Sequence, residues 1–254
     1  MTIKVGVIPA AGHGERMLPL TRAMPKEMLI VDGKPFIQYV VEGMAAAGIK
    51  TIYIITGWRK HSVLDYFGSG EEFGVDISYI VQDEMLGLAD AIGRVRNFIS
   101  ESFVVGLGDD IFWPLSCVKD IINFHETKSP AATLSIEEVP LNEVDKYGIV
   151  KIDKNNKVVD LVEKPPAGKA PSRFAIAGIY VFTPDIFDAI KKTRPGKNNE
   201  LQLTDSIKLL VSTGKTVYAK KLAGHRITIG SIEELRSANE FFVRMNDMKR
   251  KDNY

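Results

Sequence analysis

The chain predicts an α/β fold with a mostly parallel central sheet flanked by helices. Three observations lead there. Apolar, β-branched runs at residues 3–8, 51–56, 77–81 and 103–107 alternate with amphipathic segments at 35–47, 60–67 and 88–99, the rhythm of β-α-β units around a parallel sheet. From residue 131 onward, strand-like runs follow at 132–138, 148–152, 158–163 and 175–182, so a β-rich part is inserted into that frame. With 254 residues, 45% of them hydrophobic, the chain is long enough to bury one large core.

The first run, IKVGVIPA, leads directly into a glycine-containing loop and is too short for a signal peptide. The turn at Asn155–Asn156 joins two of the later strands as a hairpin. A helix is expected after Pro184, capped by the Thr183 hydroxyl, and another over 203–211, ending before Gly214. Ser231 caps the last helix, with Glu233 and Glu234 in its first turn, and the polar tail DMKRKDNY is expected to fray. No internal repeat or low-complexity linker divides the chain, so residues 1–254 are expected to form a single domain.

Composition narrows the function. A formal charge of +1 gives no reason to invoke nucleic acid or a membrane surface. Cys117 is the single cysteine, so there is no intrachain disulfide and no cysteine metal cluster. No apolar stretch approaches the ~20 residues of a membrane helix. A cytoplasmic protein is the simplest expectation.

The most informative stretch is AAGHGERMLPLTRAMPKEML, residues 10–29. The backbone of Ala10, Ala11, Gly12 and Gly14 follows a buried strand, and glycine lets N–H groups approach an anion with no Cβ in the way. Arg16 and Lys26 bring cations at a spacing that is not helical. Together these suit a polyphosphate. The loop is neither a Walker A run nor a G-x-G-x-x-G fingerprint, because Met17 stands where the third glycine would be. Asp109, after the strand FVVGLG, sits where ligands gather in parallel sheets, beyond the strand C-terminal ends. One carboxylate beside a triphosphate matches the binding habit of Mg²⁺, and Asp110 reads as its neighbour. The histidines His13, His61, His125 and His225 share no motif.

The constellation G-x-G-x-R, Pro19, Thr21 and P-K-E-M-L resembles the signature of sugar-nucleotide pyrophosphorylases. P-K-E-M-L and ELQLTDSI resemble the UTP–glucose-1-phosphate uridylyltransferase branch in particular. The resemblance runs from residue 3 to about residue 210. It implies a Rossmann-like, glycosyltransferase-A-like fold that binds nucleotide mainly through residues 1–130 and sugar phosphate mainly through 131–230, followed by a C-terminal helix and tail at 231–254. Gln82 and Gly87, Q followed five residues later by G, would hold the base. Tyr147, Gly148, Glu163, Lys164 and Gly178, in Y-G-I, V-E-K-P and IAGIY, would hold the sugar phosphate. Asp109 would bind Mg²⁺, Arg16 would help cradle the β and γ phosphates, and Lys26 would act at the α-phosphate. The partners implied are a nucleoside triphosphate, UTP favoured, and a sugar 1-phosphate, glucose 1-phosphate favoured, in a homodimer or homotetramer.

Three departures from that family pattern stand out. Glu15 replaces the usual threonine of the loop, Thr228 replaces an aspartate expected to bind a second magnesium, and the lysine that usually follows is absent from GSIEEL. A hydroxyl is a weak magnesium ligand. Two alternatives therefore stay open: a thymidylyltransferase, or a catalytically weakened, nucleotide-binding regulatory paralogue.

Overall fold

The structure is a computed structural model that describes residues 2–251, apart from the side chains of Lys197 and residues 249–251. Strands are β1 Val5–Ala10, β2 Ile30–Val31, β3 Lys34–Pro35, β4 Thr51–Thr56, β5 Asp76–Val81, β6 Phe103–Gly106, β7 Asp110–Trp113, β8 Ala132–Glu138, β9 Gly148–Ile152, β10 Val158–Glu163, β11 Phe174–Phe182, β12 Val217–Lys221 and β13 His225–Thr228. Helices are α1 Phe36–Ala47, α2 His61–Phe67, α3 Leu88–Gly93, α4 Ser116–Lys128, α5 Asp185–Lys192, α6 Leu203–Ser212 and α7 Ile232–Lys251.

The main sheet runs β10-β9-β11-β6-β1-β4-β5, with β8 on β11 and β12 on β8. Its β6-β1-β4-β5 section is parallel. Residues alternate between two buried faces, as a strand covered on both sides requires. Val7, Ile55 and Val105 face a core shared with Ile92, Ile190 and Ile207 of α3, α5 and α6. Ile8, Ile54 and Val104 face Val40 and Met44 of α1, Val63 of α2 and Ile121 of α4. A third cluster seats α7, through Ala238 and Phe242, against Met17, Phe36 and Tyr39. This sandwich fixes β1 and β6 side by side, so the loops leaving their C-terminal ends meet.

β11 is the pivot between the parallel section and the inserted part. Its C-terminal half pairs with β6 and its N-terminal end with β9, while β8 lies along its other side with a register shift between Ile176 and Tyr180. Gly178 occupies that irregularity at φ +84°, and any Cβ there would collide with the Asp110 carboxylate. Glycine is required on both counts. Its carbonyl accepts from Leu107 N–H at 3.1 Å, which holds the end of β6.

Several sequence expectations need correction. The helix expected over 88–99 ends at Gly93 and continues as turns, with Arg96 N–H bonded to Gly93 O and Phe98 N–H to Val95 O. Glycine is a poor helix former, and here Gly93 lies against Ile190 of α5. The Thr183 hydroxyl does not cap α5. It donates toward Ala131 O and Asp185 Oδ2, and Ile186 N–H bonds the Thr183 backbone carbonyl instead. Of the polar tail expected to fray, residues 247–251 are helical, because α7 continues through Lys251; the last three residues lie outside the described part. Ser231 does cap α7. Its Oγ accepts from Glu234 N–H at 3.2 Å while the Glu234 carboxylate accepts from Gly230 N–H at 2.6 Å, a reciprocal cap shifted by one residue. The Asn155–Asn156 turn joins β9 to β10 as an antiparallel hairpin.

Gly178→Ala is expected to lower the unfolding free energy by about 2–4 kcal/mol, from positive-φ strain plus overpacking against Asp110. A urea titration of the variant beside the parent measures it.

Candidate active site at the ends of β1 and β6

After β1, the chain makes short turns at Glu15–Met17, Leu20–Arg22 and Lys26–Met28. Gly14 adopts φ +66°, its carbonyl accepts the Thr21 hydroxyl at 2.9 Å, and Trp58 donates to Thr21 O at 3.2 Å. These contacts return the chain so that Lys26 reaches Asp109, with Nζ 2.5 Å from Oδ2. Burial disfavours the Lys26 ammonium, but the surrounding carboxylates, Asp109 foremost and then Glu27, outweigh that and raise its pKa above the ordinary lysine value.

Two cavities adjoin this pair. One, of 240 Å³, is lined by Gly12, Lys26, Gln82 and Gly87, with Met85, Leu88 and Ala91 as apolar wall. The other, of 610 Å³, is lined by Arg16, Tyr147, Gly148, Glu163, Lys164 and Arg226 among others. Asp109, Leu88, Leu107 and Glu200 line both. Asp109 therefore stands at their common wall, its side chain 31% exposed.

In the smaller cavity, Gln82 is only 4% exposed. Its amide nitrogen donates to Asp90 Oδ2 at 2.7 Å and to Gly87 O at 3.2 Å, so the amide oxygen is the group left over. Gly87, at φ +102°, touches the backbone of Leu201, where a Cβ would come within 2.6 Å of its carbonyl oxygen. Leu201 N–H bonds Leu86 O and Ala89 N–H bonds Leu201 O, which ties this loop to the segment before α6. In the larger cavity, Glu163 accepts the Thr204 hydroxyl at 2.6 Å and lies 3.5 Å from Lys164 Nζ. Lys164 sits in left-handed backbone at φ +44°, an uncommon conformation for a lysine, held by its N–H bond to Tyr147 O. A Cβ at Gly148 would meet Thr204 Oγ1 at 2.6 Å, so only glycine lets Thr204 reach Glu163.

In the wall of the larger cavity lies a buried charge cluster. The Arg226 guanidinium lies between Glu137 and Asp110, 3.9 Å from the Asp110 Oδ2 atom, and over the Tyr147 ring at 4.6 Å. Asp110 is 2% exposed, and its Oδ1 has no hydrogen-bond partner among the described residues. Burial pushes its pKa up, with Arg226 opposing.

The model of the nucleotidyl transferase family matches residues 5–244. The chain belongs to that family. It is 40% identical over 255 residues to the UTP–glucose-1-phosphate uridylyltransferase of Staphylococcus haemolyticus (strain JCSC1435), covering 90% of this chain and 88% of the relative. Among solved structures it matches a UDP-glucose pyrophosphorylase complexed with UDP-glucose, with TM-score 0.88 and 36% identity over 96% of this chain and 100% of that one. A UTP-bound UGPase from Acinetobacter baumannii matches with TM-score 0.82 and 30% identity, over 95% and 93% of the two chains.

Not every residue expected at a nucleotidyl transferase site reaches a cavity wall here. Ala10 is buried beside Gly108, Gly14 packs on Thr21, and Gly178 packs on Asp110. Arg16 stands in the larger cavity near Gly230 and Glu234, apart from Gly12 and Lys26. Glu15 is exposed and lines neither cavity, so its charge is turned away from them. Thr228 pairs in register with Asp110, and its hydroxyl donates to the Asp109 carbonyl at 3.4 Å. Sequence reasoning passed over Glu27, Thr204, Glu200 and Arg226. Glu27 adjoins the quoted lysine, and Thr204 lies inside ELQLTDSI, so both could have been flagged. Nothing local marks Arg226.

Glu27 lines the smaller cavity at 2% exposure, with Oε2 unpartnered among the described residues. Burial raises its pKa from 4.5 to about 7, against the pull of Lys26. Within that window the folded state keeps a proton that the unfolded chain has released. The stabilisation is full below pH ~4.5 and is lost as pH rises through ~7. Glu27→Gln does not titrate. Its stability relative to the parent should therefore improve by about 2–3 kcal/mol between pH 4 and pH 8, read from urea unfolding at both.

Proposed function

We propose that the chain transfers a uridylyl group from UTP to glucose 1-phosphate, releasing pyrophosphate and forming UDP-glucose. The observation that carries this is the Lys26–Asp109 ion pair, in which Lys26 lines the smaller cavity and Asp109 stands on the wall shared by both. Two anionic substrates must meet, so the work of the site is positioning and charge neutralisation.

In this reading the smaller cavity takes the nucleotide. The base lies against Met85, Leu88 and Ala91, with the Gln82 amide oxygen available to accept from a pyrimidine N3–H. Uracil and thymine share that edge, so thymidine triphosphate is the natural competitor. The larger cavity takes glucose 1-phosphate, with Glu163 accepting from sugar hydroxyls and Lys164 holding the phosphate as a point charge. Residues 1–130 thus serve mainly the nucleotide and 131–230 mainly the sugar phosphate.

An oxygen of the sugar phosphate attacks the α-phosphorus, a new P–O bond forms, and the bond to the β-phosphate oxygen breaks with its electron pair leaving on pyrophosphate. The nucleophile is already ionised, so no general base is required. Lys26 stabilises the charge that builds at the α-phosphate. Arg16, from its place in the larger cavity, holds phosphate oxygens at the junction, and the loop backbone at Ala11 and Gly12 meets the triphosphate.

Asp109 is the residue that would hold Mg²⁺. Among the described residues no group of three His, Cys, Asp or Glu side chains could hold a metal, whereas one carboxylate completed by phosphates and water is a usual magnesium set. Held there, such an ion would supply neutralisation of the triphosphate oxygens. Among the described residues no helix is long and apolar enough to cross a membrane, and a consumer of nucleoside triphosphate suits the cytoplasm. Thr228, with its hydroxyl turned to the Asp109 carbonyl, supports a second reading, a weakened paralogue that binds nucleotide without fast turnover.

Pyrophosphate release from UTP and glucose 1-phosphate with Mg²⁺ separates the two. Turnover is expected; UTP binding without release favours the paralogue. Lys26→Ala is expected to lower kcat by about 10²–10³, as the loss of one charge-stabilising donor does, while UTP binding partly survives. Asp109→Asn is expected to raise the Mg²⁺ concentration needed for half-maximal rate. Normal turnover in both variants would remove the site assignment.

A further inference from the structure

Beside the base-reading residue of that assignment lies a network that the reaction itself does not use. The Gln82 side chain is buried and its backbone N–H is fixed on Thr56 O at 2.8 Å. Both hydrogens of its amide nitrogen are taken, one by Gly87 O at 3.2 Å and one by Asp90 Oδ2 at 2.7 Å. The same Asp90 oxygen accepts Arg94 Nε–H at 2.9 Å, and Arg94 Nη1 donates to Val81 O at 3.2 Å. Asp90, in the first turn of α3, is thereby pinned to the end of β5.

An amide has two faces, and which one it presents is decided by its partners. An ionised carboxylate only accepts. Turning the Gln82 amide over would set its oxygen against the Asp90 oxygen at 2.7 Å and against the Gly87 carbonyl, two acceptors facing an acceptor. The two donors are thus consumed internally, and the amide oxygen is the remaining group. We propose that Asp90, braced by Arg94, is a positioning residue that locks the Gln82 amide as an acceptor, so that the cavity takes pyrimidines carrying N3–H and rejects cytosine.

The consequence is a difference in hydrogen bonding, not in size. Uracil N3–H donates to the Gln82 oxygen. Cytosine N3 is itself an acceptor, and its pairing with a locked oxygen leaves two buried lone pairs opposed. A glutamine free to turn would meet either base. Asp90 therefore supplies the discrimination while touching no substrate atom, and it does not separate uracil from thymine.

This inference rests on the nucleotide assignment above, and the test separates the two. The measurement is kcat/KM for UTP and for CTP, by pyrophosphate release with glucose 1-phosphate, or the ratio of calorimetric Kd values for the two nucleotides if turnover is slow. Asp90→Ala removes the acceptor and is expected to lower the UTP-to-CTP ratio about tenfold, about 1.4 kcal/mol, with the KM for glucose 1-phosphate unmoved. Asp90→Asn can keep an oxygen in the same place, so its ratio should stay within about twofold of the parent. An unchanged ratio in Asp90→Ala, a fall in Asp90→Asn as large as in Asp90→Ala, or a parent that does not distinguish UTP from CTP overturns the proposal. Gln82→Ala supplies the control. If it leaves the ratio at the parental value, Gln82 does not face the base and the nucleotide assignment fails as well. If it lowers the ratio while Asp90→Ala does not, the role of Asp90 alone is wrong.

Discussion

The structure depends on bringing a lysine and an aspartate 83 positions apart into one ion pair at the edge of a sheet. Either charge alone in that half-buried place is unfavourable, because water is partly excluded. The pair solves this and leaves a cation oriented before any ligand arrives. The parallel neighbours β1 and β6 make it possible, since they deliver both loops to the same edge. The turns after Gly14 bring Lys26 back to that edge, and the two large cores hold the strands in register.

Glu27 and Asp110 are both buried close by, and burial raises both pKa values. Arg226 adds a positive charge in the wall of the larger cavity, where Glu137 and Asp110 hold it and the Tyr147 ring covers it. Glu15, the carboxylate that the sequence places in the phosphate loop, is directed outward.

Much of this was legible beforehand, and the limits are physical. Strands such as Thr51–Thr56 and Gly148–Ile152 were readable because their periodicity is local and strong. β7 and β13 were not, because each is four residues long and pairs only with the other across the chain. Helix α3 was overextended because apolar spacing continues past Gly93, where packing on α5 and the glycine itself end it. At the site, Lys26, Asp109, Gln82 and Glu163 were picked out by motif and do line the cavities. Gly178 was singled out as a sugar neighbour, and what the structure shows beside it is the Asp110 carboxylate, since a glycine in a sequence does not say what approaches it. Arg226 enters by tertiary contact, and so does the commitment of both Gln82 donors, which no local pattern records.

The contact between Gly87 and Leu201 carries a mechanical consequence. Two backbone hydrogen bonds, Leu201 to Leu86 and Ala89 to Leu201, stitch the rim of one cavity to the rim of the other. A hinge that swung the two rims apart would have to break both. Widening the cleft by such a swing would therefore require the segment that precedes α6 to come away from the loop after β5 first.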